Sequence, residues 1–521
     1  MESFTEAERA RLAPHFTDLD GPVFGLVNLP ETVKGALFAR YSRYPGTLRR
    51  MFLDEFADSL PEDVAGWEGA EGARAAELYE RIFLGYGDDS VAQLGGMHIA
   101  CEWVSNVLTK VLQRPRLAAY LEQSTRYIAY DEPMPAGGYR YYRDETLGPE
   151  YERAMDALFA TYSELLPRMA AWVESSFTGE DSPARRRAIK AKALDLLRGL
   201  LPAASLSHMG IYASGQTYEQ LILHLLAHPL PEARRVGAQI LTAVQQVMPS
   251  FVARVQRPDR GGEWVSYLRG RDEAADRWVA RLGLDGADAG AAGPSVRLLH
   301  VDGDEEALLA ALLFEAAGVS EEQTRLRVAA LGADERARLL GDLVGARRNR
   351  RHRPGRGFEA LRYRFEIVSD YGAFRDLQRH RMLTAQWQRL GPALGADVPE
   401  EVVAAGGGDA YVRALDVSRQ AWQRLVDDGH EGEAPYALCL GYRIRYVLDL
   451  NAREAMQLIE LRSGREGHPS YRAVAHEMHR RIAAVHPAVA ATMTHVDEET
   501  EPRLERILAE MRTDAKQSAR A

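Results

Sequence analysis

The chain has 521 residues, 46% of them apolar and 27% charged, with a formal net charge of −10. That length exceeds what one hydrophobic core organises, so two or more domains of ordinary soluble composition are expected. The acidic balance argues against general nucleic-acid binding. No apolar run reaches the roughly 18 residues of a membrane helix, and MESFTEAERARL has no signal-peptide core. A cytoplasmic protein without nucleic-acid or membrane partners is expected.

Taken in chain order, TRYIAY (125–130) reads as a short strand, being rich in aromatic and β-branched residues. The segments 154–177 and 232–255 carry apolar residues at three- and four-residue spacing and read as long amphipathic helices. LDGADAGAAGPS (284–295) replaces that pattern with Gly, Ala, Asp and Pro and is the expected linker. Beyond it, 305–317 and Thr324 to Val344 read as helices, YRFEIVSD (363–370) as a strand, and 503–521 as a charged surface helix. The class expected is helix-rich α+β. Cys101 and Cys439 are the only cysteines and sit in apolar sequence, so a disulfide framework and a cysteine metal cluster are excluded. His224 and His228 have the spacing of a metal pair but no third ligand, and no metal is expected. The basic run 346–356 reads as a solvated lead-in to the strand that follows it. Without a GxGxxG or P-loop pattern, any nicotinamide would bind outside a Rossmann unit.

An internal repeat is the strongest signal. Arg114-Pro115-Arg116 and Arg379-His380-Arg381 are separated by 379 − 114 = 265 residues, and Gln220-Leu221-Ile222 and Gln457-Leu458-Ile459 by 457 − 220 = 237. The difference of 28 places an insertion in the first half, around residues 131 to 165, and the halves divide as 1–285 and 286–521. Arginines two apart do not share a helix face, so each pair belongs at a helix end or turn. There their guanidinium groups can fork onto phosphate or carboxylate oxygens, with Ser124 and Arg126 adding a hydroxyl and a third cation. The same residues also suit a solvated face or simple ion pairs.

The stretches GYGDDSVAQLGG, RPRLAAYLEQSTRY, RHRMLTAQWQ and NAREAMQLIELR, in that order, resemble the flavin-dependent thymidylate synthases. That family's signature is Arg-His-Arg, seven residues, then Ser, with an Arg two positions on. In the first half Arg114, Arg116, Ser124 and Arg126 keep the spacing, and Pro115 replaces the histidine. In the second half Arg379, His380 and Arg381 are intact, and Arg389 and Gly391 replace the serine and arginine. The family's later Asn-x-Arg helix is matched by Asn451, Arg453, Gln457 and Arg462, against Ser214, Gln216 and Leu225 in the first half.

The resemblance implies a tandem duplication of that fold with one composite site per chain. It implies nucleotide binding by Arg114, Arg116, Glu122, Ser124, Arg126, Arg198 and Arg462, with Arg126 and Arg462 stabilising charge during catalysis. Flavin contacts are implied for Ser90, Arg379, His380, Arg381, Asn451, Arg453 and Gln457, although Asp88 and Leu94 stand where the family has histidines. The implied reaction is reductive methylation of dUMP to dTMP, with FAD as cofactor and NADPH and methylenetetrahydrofolate as co-substrates. Two other outcomes remain open: a flavin-dependent methylase of another pyrimidine nucleotide, and a non-catalytic nucleotide-binding paralogue. Because single-repeat members are homotetramers, a homodimer forming a pseudo-tetramer is implied as well.

Overall fold

The computed structural model describes residues 3–41, 44–59, 91–134, 137–176, 181–284 and 293–499. Ser90, most of the expected linker and the expected C-terminal helix lie outside the described residues. The chain forms two compact units, one of residues 1–104, 111–122 and 207–286, the other of 105–110, 123–206 and 287–521.

The first unit is built on a three-stranded sheet of β1 (Gly96–Ser105), β2 (Ala118–Glu122) and β3 (Leu206–Ser214), in the order β1-β3-β2. β2 runs antiparallel to β3, with Ala118 opposite Ala213. Ser214 ends β3 and caps the next helix, Gly215–Ala227, by accepting the Thr217 N–H. That helix packs on Pro231–Val247 so closely at Gly237 that a Cβ there would lie 2.7 Å from the Leu225 Cβ.

The second unit carries the antiparallel sheet of β4 (Ser295–Asp302), β5 (Arg362–Asp370), β6 (Leu383–Trp387) and β7 (Arg443–Asn451), in the order β4-β5-β7-β6. Strand β7 alternates as its sequence RIRYVLDLN requires: Ile444, Tyr446, Leu448 and Leu450 are buried and the residues between them are half-buried. Across β5 they meet Ser369, Ile367, Phe365 and Tyr363. The helices that matter here are α1 (Gly148–Ser176), α2 (Pro183–Leu197), α3 (Tyr371–Leu377), α4 (Gly408–Asp427), α5 (Ala452–Arg462) and α6 (Pro469–Val485). Asp370 and Asn451 are the last residues of β5 and β7, and each caps the following helix, accepting Ala373 N at 2.8 Å and Glu454 N at 2.9 Å. Strand end and helix start are therefore one junction in each case.

The duplication is visible in the topology. Strand, helix, strand in the first half (β1, Asn106–Leu112, β2) recurs as β5, α3, β6, and the helix starts differ by 371 − 106 = 265 residues. Strand then helix (β3, Gly215–Ala227) recurs as β7 and α5, with strand starts 443 − 206 = 237 apart. The extra residues of the first half thus fall between β2 and β3, a window that holds α1 and α2 and includes the 131–165 region. Both arginine pairs follow a short helix in turn conformation, as their spacing requires.

Three sequence expectations are corrected. TRYIAY is not a strand: the Ser124 carbonyl accepts the N–H groups of Tyr127 and Ile128 and closes a turn, and the strand is the preceding β2. The segment from Thr324 to Val344 belongs to two helices, Glu321–Ala329 and Ala333–Val344, which separate at Gly332. The segments 232–255 and 305–317 stop being regular helix at Val247 and Leu313; Pro249 has no N–H with which to continue the first of them. Among the described residues no helix is long and apolar enough to cross a membrane, and no cluster of three or more His, Cys, Asp or Glu is placed to hold a metal ion.

Phe365 is fully buried at the centre of the second sheet. Phe365→Ala is expected to destabilise the protein by about 3–5 kcal/mol, measured as a lower urea midpoint for the loss of circular dichroism.

Candidate functional site

In the second unit, segments from both halves of the sequence deliver charged side chains to one place. From the first half come Arg126 in the turn after β2, Asp195 near the end of α2, and Arg198 in the 3-10 turn Arg198–Leu200 that follows it. The second half supplies Asp376 from α3, Arg379 and His380 from the next turn, Arg462 at the end of α5, and His468 and Tyr471 at the start of α6.

Arg126 grips Asp195 with two hydrogen bonds, Nε to Oδ1 at 2.5 Å and Nη2 to Oδ2 at 2.7 Å, the paired geometry of a strong guanidinium–carboxylate contact. It also donates to the Tyr471 hydroxyl at 3.2 Å and the Glu466 carbonyl at 3.0 Å. Two cations lie near the Tyr471 ring, the Arg126 guanidinium carbon 6.0 Å and that of Arg462 5.4 Å from its centroid. Arg198, only 4% exposed, donates from Nη1 to Asp376 Oδ2 at 3.2 Å, while its Nη2 is 3.9 Å from Asp370 Oδ1, too long for a hydrogen bond. Arg462 Nη1 is 3.9 Å from Asp376 Oδ1. Asp376 is therefore the carboxylate that Arg198 and Arg462 share.

His380 is buried, and both of its ring nitrogens are engaged. Arg462 Nε donates to His380 Nε2 at 3.1 Å, and His380 Nδ1 is 3.0 Å from Glu454 Oε1. Nε2 accepts, so the proton belongs on Nδ1 and points at Glu454, an assignment that follows from the hydrogen bonds. Burial, aided by the Arg462 charge, lowers the imidazole's proton affinity despite Glu454 and keeps the ring neutral. Glu454, His380 and Arg462 form a line that fixes the direction of the Arg462 guanidinium. A second neutral histidine, His468, has its proton affinity held well down by burial and then by Arg198. It accepts Ser470 N at 3.2 Å and lies 3.3 Å from the Asp195 carbonyl.

The carboxylates divide sharply. Burial would raise Asp376, but Arg198, Arg462, Arg379 and Arg126 together hold it well below the usual range. Burial wins at Asp370, which is pushed up to about 6 against the pull of Arg198 and the Ala373 N–H. For Arg126, the cost of burial is outweighed by Asp195, so its charge is permanent. A cavity of about 750 Å³ backs onto the cluster, and Asp195, Arg198, Asp370, His468 and Ser470 line it. Arg126, Asp376 and Arg462 are not in its wall, so it is a neighbouring space and not the arginine cluster itself.

Of the residues singled out in the sequence, Arg126, Arg198, Arg379, His380 and Arg462 meet around Asp376. The Ser124 hydroxyl accepts the Arg126 backbone N–H at 3.2 Å. Arg381 is exposed on the turn beside His380. Arg453 and Gln457 are half-buried, one turn apart on α5, and Arg453 is held by the Pro354 carbonyl at 3.0 Å and by Glu359 at 3.5 Å. Arg114, Arg116 and Glu122 belong to the first unit, where both arginines are exposed and Glu122 accepts from Gln113 at 3.0 Å. His224 bonds the Gln220 carbonyl at 2.7 Å, and His228 accepts Leu230 N at 3.1 Å. Sequence reasoning passed over Asp195, Asp370, Asp376, Glu454, His468 and Tyr471. The spacing of Asp376, three residues before Arg379, was the available signal.

Neither thiol is suited to nucleophilic attack. Burial pushes Cys101 up to about 11 and Cys439 up to about 12, and the Cys439 sulfur lies 3.1 Å from the Leu200 carbonyl.

The sequence matches the family described as thymidylate synthase complementing protein over two regions, residues 50–250 and 302–488. A protein of Chlamydia muridarum described as UPF0159 is 36% identical over 511 residues, 95% of this chain and 96% of that one. A UPF0159 protein of Thermoplasma acidophilum is 30% identical, covering 93% of this chain and 99% of its own length. Among solved structures, a UMP/dUMP methylase of Streptomyces cacaoi bound to 5-Br dUMP matches 39% of this chain and 95% of its own, with 20% identity and a TM-score of 0.32.

A histidine kept neutral by the fold contributes stability that is present above its ordinary value of 6.5 and is lost as pH falls below it, because only the unfolded chain then takes up the proton. His380→Gln preserves one donor and one acceptor and removes that term. Its unfolding free energy is expected to fall less steeply than the wild type's between pH 7 and 5, by up to about 1.4 kcal/mol per pH unit, in parallel denaturant titrations. Asp370 titrates identically in both proteins and cancels.

Proposed function

The chain belongs to the thymidylate synthase complementing protein family, and from that premise we propose that it methylates dUMP to dTMP at one composite site per chain. The proposed carbon donor is methylenetetrahydrofolate, and NADPH supplies the two electrons that reduce the transferred methylene to methyl. The observation that carries the reading is the convergence of Arg198 from the first half with Arg462 from the second at Asp376, beside Arg126 from the first half, which is paired with Asp195.

The residues suit an anionic nucleotide. Arg198, which has a buried Nη2 without a hydrogen-bond partner, is positioned to hold a phosphate beside the Arg126–Asp195 pair. Arg462, aimed by His380 and Glu454, can stabilise negative charge that develops on a pyrimidine carbonyl, since a preorganised donor costs no reorganisation during reaction. With both thiols buried and hard to ionise, addition of cysteine to the ring is not the route by which C5 is activated.

The donors expected to meet FAD fit a flavin's phosphates and ring edge: Arg379 and Arg381 are exposed beside His380, and Arg453 and Gln457 share a partly exposed face of α5 behind the Asn451 cap. When bound, FAD would carry hydride between NADPH and the transferred carbon. The protein's part is to orient the nucleotide and exclude water. We further propose that two chains assemble as a homodimer that reproduces a four-repeat arrangement.

Purified protein is expected to take up FAD, show flavin absorbance that bleaches anaerobically with NADPH, and convert dUMP to dTMP. A colourless protein that cannot be loaded with FAD would overturn the methylase reading. Ser124→Ala is expected to weaken dUMP binding about tenfold by removing a hydroxyl from the phosphate cradle, while Gln216→Ala, whose side chain bonds Gln93 at 2.7 Å, leaves binding unchanged. Equal losses in calorimetric titration would contradict a single composite site. Sedimentation is expected to show a dimer, and a stable monomer would refute that assembly.

A further inference from the structure

We propose that Asp376 is a positioning residue that stands in for the substrate's phosphate: it holds the arginine cluster together when no anion is bound and yields the guanidinium groups to an incoming one. The inference rests on the reading that this cluster receives the nucleotide.

Local structure does not favour an acid at this position. Asp376 is the penultimate residue of α3 (Tyr371–Leu377), near the end of a helix where the backbone carbonyls concentrate negative charge and a carboxylate is unfavourable. What favours it is tertiary. Arg198 and Arg462, from opposite halves of the sequence, have Asp376 as their common anion at 3.2 and 3.9 Å. The other groups near them are not a common anion: His380 is neutral, and Asp370, 3.9 Å from Arg198, makes no hydrogen bond to it. Without Asp376, two buried or half-buried guanidinium groups would face one another with no shared counter-charge.

The contacts also differ in kind from a permanent ion pair. Asp195 takes Arg126 in two short, parallel hydrogen bonds at 2.5 and 2.7 Å. Asp376 receives one hydrogen bond from Arg198, and Arg462 stays beyond hydrogen-bond reach. Arg198 Nη2 is buried and makes no hydrogen bond at all. A phosphate offers three terminal oxygens, enough to satisfy that donor and to bring Arg462 into contact, which one carboxylate on a seven-residue helix does not do. Asp195 is thus the fixed counter-ion of the cluster and Asp376 the exchangeable one.

The test uses full-length wild type, Asp376→Asn and Asp376→Glu, titrated with inorganic phosphate by calorimetry and followed by thermal melting. Asp376→Asn is expected to melt lower than wild type in phosphate-free buffer, to bind phosphate at least about tenfold more tightly because a competing negative charge is gone, and to recover its melting temperature as phosphate is added. Asp376→Glu keeps the charge and should behave like wild type. Phosphate binding by Asp376→Asn that is unchanged or weaker would overturn the proposal, as would a melting temperature that phosphate does not restore, which marks a purely structural role. If Asp376→Asn fails to fold alone, its refolding yield is compared with and without phosphate: rescue supports the stand-in role and no rescue refutes it. A parallel dUMP titration separates the two readings. Tighter phosphate binding with no preference of any variant for dUMP over phosphate would sustain the role of Asp376 and remove the nucleotide assignment.

Discussion

Four guanidinium groups, those of Arg126, Arg198, Arg379 and Arg462, act on the single carboxylate of Asp376, and the second unit must supply enough counter-charge for the three of them, Arg126, Arg198 and Arg462, that are buried or half-buried. Most of the local architecture follows from that requirement. Asp195 neutralises Arg126 outright, Asp370 stands near Arg198 at the β5–α3 junction, and Glu454 acts on Arg462 through a histidine that burial keeps neutral. Removing one partner from such a set leaves a desolvated charge uncompensated, which costs far more than the pair contributes while intact. The cluster is therefore a constraint on packing. The strand-end caps at Asp370 and Asn451 set where α3 and α5 begin, and so where Asp376 and Arg462 lie.

Duplication explains why such a site can be asymmetric. Positions related by the offset of 237 pair Arg198 with Pro435, Leu225 with Arg462 and Thr217 with Glu454; those related by 265 pair Arg126 with Gly391 and Pro115 with His380. At these positions one half carries the charged residue or histidine and the other an apolar or neutral residue, whereas Arg379 and its counterpart Arg114 are arginine in both halves. Once a repeat no longer contributes an anchor, the cost of burying a charge there is no longer offset, and a smaller or apolar residue is the more stable occupant. The same positions do other work in the first unit: the Thr217 hydroxyl donates to the Leu117 carbonyl, and nearby Glu219 takes Arg254 in a two-bond ion pair.

Much of the fold was legible because it depends on short-range pattern. Strand β7 announces itself by strict alternation, and the arginine pairs announce turns because residues two apart cannot share a helix face. The two repeat offsets located the extra length of the first half before any helix was placed in it. TRYIAY misled because its composition suits a strand, yet the Ser124 carbonyl captures the amides that a sheet neighbour would need. The acids of the site were missed for a different reason. In FRDLQRHR an aspartate beside arginines reads as a surface ion pair, and nothing local says that Asp376 will meet Arg198, 178 residues away.

The sequence by itself determined the family and the duplicated α+β plan, since spacing and residue type are enough to carry those, and it singled out Arg126, Arg198, Arg379, His380 and Arg462, which the fold brings around Asp376. Only the tertiary structure decided the partners: that Asp376 is shared by arginines from both halves, that His380 is neutral and aims Arg462, and that Arg126 is paired with Asp195. Charge compensation is a property of space, not of neighbourhood along the chain. A guanidinium group accepts any carboxylate that folding brings within about 4 Å, and which one arrives is settled by how helices and strand ends far apart in sequence pack.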